Sequence, residues 1–149
     1  MRNTRHHKVR TMVANGFRDK GFEVYEEVRC EDSAGSNRKA DILVINKKDG
    51  TGLILDPTVR FENQDPEKVD KEKRDIYTPC ISFFQDRYGI DNWRVIGLMV
   101  GARGTIPSFL VDFFRDHGLP TALLQTIAFS VLKDSIAILN HHLFHDLNH

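Results

Sequence analysis

Two aspartates, Asp41 and Asp56, sit at the ends of apolar runs, residues 40–46 (ADILVIN) and 52–56 (GLILD), that flank a polar KKDGT stretch. Asp49 followed by Gly50 is a hairpin signal, so the runs predict two antiparallel strands with one aspartate on each arm. With a two-residue turn at 49–50, position 41 faces 58 and 43 faces 56; a register one pair over sets 41 against 56. In either register the two carboxylates share a face. Neighbouring like charges on a sheet are destabilising unless something neutralises them, and Mg²⁺ takes one or two carboxylates together with water and phosphate oxygens. The pair therefore predicts a hard-metal site. The alternative is that Asp41 opens its strand and Asp56, ahead of Pro57, closes its own, both solvated at the sheet margin. A third carboxylate is available from the stretch before the hairpin, where Glu23, Tyr25 and Glu27 alternate with Phe22 and Val24. Glu27 is the expected third ligand; Glu26 lies on the apolar-run face, and parity does not choose between them.

The elements that must position these groups follow from pattern. Residues 4–20 place Val9, Met12, Val13 and Phe17 at helical spacing ahead of Gly21, which predicts an amphipathic helix. Residues 22–30 predict a strand with Phe22, Val24 and Val28 on one face, and residues 32–37 a turn. Asp65 and Pro66 suit an N-cap and first helical position, so a charged helix with Val69 and Ile76 inward is expected over 66–77, restarting at Thr78-Pro79. Residues 93–100 predict a buried strand, residues 101–104 a tight loop, and two helices close the chain, over 107–117 and about 120–144, the second with Leu124, Ile127, Val131 and Ile138 on one face. The order α, β, β, β, α, α, β, α, α describes one α/β unit over 1–149 with a mixed sheet and flanking helices.

A chain of 149 residues with 40% hydrophobic content suits one core, and 21 basic against 21 acidic residues leave no net charge to suggest a partner. Local charge is more informative: residues 1–20 hold Arg2, Arg5, Lys8, Arg10, Arg18 and Lys20 against Asp19 alone, with His6 and His7 beside them. Such a helix either grips phosphates or is simply solvated. Arg103, in a glycine-flanked loop whose N–H groups are exposed, is a second phosphate candidate. No apolar stretch runs uninterrupted for about 18 residues and no secretory leader pattern is present, which argues for an intracellular chain without a membrane partner. Cys30 and Cys80 have no CxxC partner and no identifiable histidine, and read as packing residues, as does Trp93. His141 and His145 have a zinc-compatible i, i+4 spacing but no third ligand, and a polar helix end explains them better. The apolar residues of the last helix read as core or as an interface.

Taken together, Arg38, Lys39, Ala40 and Asp41, then Asp56, then the lysine-rich helix ending in Tyr77 form a recognisable set. The chain resembles the restriction-like endonuclease domain of site-specific non-LTR (LINE-type) retrotransposon polyproteins, a branch of the PD-(D/E)XK nuclease superfamily. In that family an Arg/Lys-Pro-Asp signature precedes an acid on the next strand, and the catalytic lysine lies on the helix beyond, ahead of a tyrosine. Arg5-His6 and residues 101–104 also look like family features, so the resemblance spans residues 5–105. It departs in Ala40, where proline is usual, in Asp56, where glutamate is common, and in Thr58, which occupies the ordinary lysine position. The subgroup with a migrated lysine fits, with Lys68, Lys71 and Lys73 as candidates. Lys73, one turn before Tyr77, is preferred and Lys71 follows; for each of them a solvated helix face is the competing reading.

The resemblance implies a PD-(D/E)XK fold and Mg²⁺, or Mn²⁺ in its place, held by Asp41, Asp56 and Glu27, with Lys73 or Lys71 and Tyr77 completing the catalytic set. It implies double-stranded DNA contacts from Arg5, His6, Lys8, Arg10, Arg38, Lys39 and Arg103. A nick leaving a 3′-hydroxyl would prime reverse transcription by the rest of the polyprotein, in the nucleus. The competing readings are a DNA-binding or interaction module on a degenerate nuclease scaffold, and a cellular repair or junction-resolving nuclease. The first is separated from an active enzyme by whether Asp41, Asp56 and one lysine converge in space.

Overall fold

Apolar runs of strand period build β1 (Glu23–Glu31), β2 (Asn37–Asn46), β3 (Thr51–Arg60) and β4 (Asn92–Gly101). In the computed structural model, which describes the backbone of residues 2–147 and the side chains of residues 5–143, these form one mixed sheet in the order β1-β2-β3-β4. The first three strands are antiparallel neighbours, whereas β4 runs parallel to β3. A parallel neighbour needs a crossover, and it is supplied by α2 (Pro66–Tyr77), a short 3₁₀ turn (Thr78–Cys80) and α3 (Ile81–Tyr88). Asp65 caps α2, its side chain accepting from the Glu67 N–H at 3.0 Å, with Pro66 at the first helical position.

The sheet is covered on both faces. On one, Val9, Val13 and Phe17 of α1 (Arg2–Asp19) pack with Leu110 and Phe114 of α4 (Ser108–Asp116) and Leu124, Ile127 and Val131 of α5 (Thr121–Leu147) against Ile42, Val44, Leu55 and Leu98. On the other, Tyr77, Cys80, Phe84 and Trp93 pack against Leu43, Ile45, Ile54 and Val95. Cys30 and Cys80 are buried and free, and burial pushes the Cys30 thiol up to about 12, consistent with packing residues. Gly16 lets α5 cross α1 closely, because a Cβ there would lie 2.6 Å from Leu123.

The sequence elements are met with three differences. The β2–β3 loop takes four residues instead of two, Asn46 pairing with Thr51. Gly50 supplies the left-handed conformation, φ 66°, that closes this longer turn. The register sets Ile42 against Leu55, and continuing it by one residue sets Asp41 against Asp56. Second, Phe22, Val24 and Val28 do not share a face: Phe22 and Val24 pack toward α1, Val28 toward the α2–α3 side. Glu27 stands between them at φ 54°, a conformation unusual for a residue with a Cβ, and the strand changes face there. On β2 the same change separates Ala40 from Ile42. Third, α5 is not amphipathic beyond Val131. Leu132, Ile136, Leu139 and Leu143 are all exposed, and by length and composition Thr121–Leu143 could cross a membrane. Here its first half is in the core and Asp134 pairs with Lys8 of α1 at 3.1 Å.

Candidate active site

Asp41 lies where β2 changes face, so groups from both helical layers reach the acid pair. From α1, the His6 Nε2 atom is 3.2 Å from Asp41 Oδ2. From α2, the Lys73 Nζ atom is 3.4 Å from Asp56 Oδ2, with the Lys73 side chain 14% exposed and that of Asp56 7%. Asp41 and Asp56 are themselves within hydrogen-bonding reach of each other. Asp41, Asp56 and Lys73 therefore converge.

Electrostatics follow from burial and crowding. Desolvation first, and the Asp41 charge second, push Asp56 up to about 7, against the opposing pull of Lys73. Burial also acts to raise Asp41, but the hydrogen bonds from His6 and from the Asp56 carboxyl outweigh it and hold its pKa below the ordinary value. The pair thus shares one proton near neutrality, placed on Asp56. Hydrogen bonding to Asp41 raises His6, against the effect of its own partial burial.

A missing side chain positions Lys73. Gly97 of β4 lies opposite Asp56 in the parallel register, and a Cβ on it would come within 2.6 Å of Lys73 Cγ, 2.9 Å of Lys73 Cβ and 3.0 Å of Asp70 Cα. Its N–H donates to Asp70 Oδ1 at 2.8 Å, in a buried bond that fastens α2 to the sheet. Nothing in the sequence pattern marks this contact. Gly97→Ala therefore overpacks a rigid junction and should lower stability by about 1–3 kcal/mol, read as an earlier urea midpoint. An unchanged midpoint would show that α2 can move away freely. Tyr77, two turns from Val69 on the buried face, donates its hydroxyl to the Lys39 carbonyl at 3.0 Å. Burial and the two aspartate charges push its pKa above its usual value, so it stays a neutral donor. Tyr77 is thus a positioning residue that ties the end of α2 to the strand carrying Asp41.

Several expected site residues are placed elsewhere. Glu27 does not join the acid pair as a ligand. Its carboxylate takes Arg10 Nη1 at 2.8 Å and Lys39 Nζ at 3.5 Å, with His7 Nε2 at 3.8 Å. Glu26 is held by Arg10, Arg18 and Thr11. Arg10 is accordingly not a phosphate contact: it is buried and forks across Glu26 and Glu27, fixing α1 on β1. Lys71 pairs with Asp75 on the exposed face of α2, and Lys68 is exposed as well, so neither reaches the aspartates. The Arg103 N–H donates to Glu62 Oε1, which leaves the exposed guanidinium, not the backbone, for any phosphate. Arg38 and Lys39 remain half-exposed beside the site, Arg38 3.6 Å from Asp32. Arg5 donates to Ser135 Oγ at 2.9 Å. His141 is exposed, and the His145 side chain lies outside the described residues.

The donors fit a hard divalent cation. Asp41 and Asp56 offer only oxygen and retain a proton until a cation displaces it, while a third protein ligand is dispensable for Mg²⁺, which keeps water and phosphate oxygens. Among the described residues no three His, Cys, Asp or Glu side chains converge on one point. His6 and Thr58, neighbours of the pair, line an open cleft.

No family model matches the chain, and no curated protein matches it. Among solved structures it is similar to the crystal structure of a protein of unknown function, AF1548, at 11% identity and a TM-score of 0.44, over 92% of this chain and 99% of that one.

Proposed function

We propose that this chain is a Mg²⁺-dependent DNA endonuclease module of PD-(D/E)XK type, similar to the restriction-like domain of non-LTR retrotransposon polyproteins. The observation that carries the reading is Lys73 Nζ 3.4 Å from Asp56 Oδ2, delivered from the helix after the second acid, with Asp41 alongside. A solvated helix face would have left Lys73 in water, as it leaves Lys71.

Asp41 and Asp56 would hold the Mg²⁺, which would supply Lewis acidity for activating water. Lys73 holds its ammonium beside Asp56, where it stabilises charge developing on the phosphate or orients the attacking water. His6 fixes the outer oxygen of Asp41, and Tyr77 and Gly97 keep α2 against the sheet so that Lys73 stays in place. Arg38, Lys39 and Arg103 are the cations left to meet the DNA backbone. In the polyprotein setting the nick leaves a 3′-hydroxyl for reverse transcription. The test is conversion of supercoiled plasmid to the open-circular form by the purified chain at low salt. Nicking in Mg²⁺ or Mn²⁺ and none in EDTA is the expected result; DNA bound but uncut in both metals would overturn it.

A further inference from the structure

From the cleft next to the acid pair, we infer that the substrate strand carries unpaired nucleotides beside the scissile phosphate and that these lie in the cleft. This rests on the nuclease reading and adds the form of the substrate. The cleft has a volume of about 900 Å³ and begins at the site: His6, which bonds Asp41, lines it, as does Thr58, two residues beyond Asp56 on β3. Three arginines, Arg5, Arg60 and Arg103, line it, and among the described residues no carboxylate does, in a chain whose acids and bases balance overall. Arg5 and Arg60 are held at its wall by Ser135 and by Glu72, the latter at 2.8 Å, so their positions are set before any ligand arrives. This charge suits a polyanion.

Apolar exposed surface also lines the cleft. Leu132, Ile136 and Leu139 of α5 line it, 40–58% exposed, and Phe61 beside Arg60 is 69% exposed. A duplex presents phosphates and base edges while its base faces are stacked on one another, and phosphate contacts alone need no apolar wall. Unpaired bases expose faces that gain from apolar and aromatic surface while the arginines track the backbone. One cleft holding both features, opening onto the cutting site, matches a single-stranded flank. An apolar protein helix could cover the apolar surface but offers nothing to the basic side chains beside it.

The test is fluorescence anisotropy in EDTA at fixed salt, comparing a blunt duplex with the same duplex carrying a flank of about ten unpaired nucleotides. The flanked duplex should bind at least about tenfold more tightly. Ile136→Ser combined with Leu139→Ser, both at exposed positions on α5, should reduce the preference to within about twofold and leave blunt-duplex binding unchanged. Equal binding of the two duplexes by the parent chain would overturn the inference. So would equal loss on both by the variant, or a chain that self-associates through Leu139 and keeps its flank preference when Leu139→Ser makes it monomeric. Plasmid nicking measured on the same preparations separates the two claims: nicking without flank preference removes this inference alone, and flank preference without nicking removes the nuclease reading and leaves the cleft as a single-strand binding site.

Discussion

Asp41→Asn and Asp56→Asn should each lower Mg²⁺-dependent nicking by roughly 10³-fold or more, the scale seen when a preorganised electrostatic group is removed from a reacting centre. Each substitution keeps the shape of the side chain and removes one of the two anionic donors, so a cation loses half its protein charge while the fold loses little. The double variant should be no slower than either single one, because the carboxylates act as a unit. DNA binding in EDTA should persist, since the pair repels phosphate when no cation is present. A variant that still nicks within tenfold of the parent would take that aspartate out of the site.

The same pair fixes a pH dependence of definite sign. Asp56 is raised from its ordinary 3.8 to about 7, so below neutrality a proton occupies the place a cation needs. Nicking should therefore rise with pH up to about 7 and level off above it, while Asp41 stays ionised throughout. Stability in EDTA runs the other way. Between pH 4 and 7 the folded chain holds a proton that the unfolded chain releases, so stability present at low pH is lost as pH rises through about 7. Added Mg²⁺ should accordingly raise the melting temperature more at pH 8 than at pH 5.5.

Much of this site is legible before any coordinates. The Asp49-Gly50 turn and its flanking apolar runs put Asp41 and Asp56 on one face whichever register holds, because both registers preserve parity. Asp65-Pro66 fixes where α2 begins, and counting from there sets Lys73 on the same face as Val69 and Tyr77 while turning Lys71 outward. What is not legible depends on contacts between distant segments. Glu27 is consumed by Arg10 because β1 changes face at a left-handed residue, and no local pattern announces a positive φ at a glutamate. Gly97 looks like an interruption of an apolar strand until α2 is laid across it. His6 and Arg10 are equal members of a basic helix in the sequence; only the docking of that helix makes one a partner of Asp41 and the other an internal fastener. The exposed apolar half of α5 has no folded-core explanation.

Replacing Lys73 separates the two roles its position allows. Lys73→Met should slow nicking by roughly 10²-fold, as expected when a single stabilising charge is removed from a transition state, with DNA affinity in EDTA unchanged. Lys71→Met should leave the rate within about twofold, because that ammonium is paired with Asp75 on the outer face of α2. A rate alone would not exclude a purely structural Lys73, but the pH profile does. Lys73 is the group that pulls Asp56 down against burial and the Asp41 charge; without it Asp56 should hold its proton to higher pH, and the rising limb of the nicking profile should move to the alkaline side. Loss of packing would lower the rate at every pH and leave the limb where it is. An alkaline shift in Lys73→Met, absent from Lys71→Met and reduced in Lys73→Arg, is the pattern that a lysine acting at the acid pair must produce.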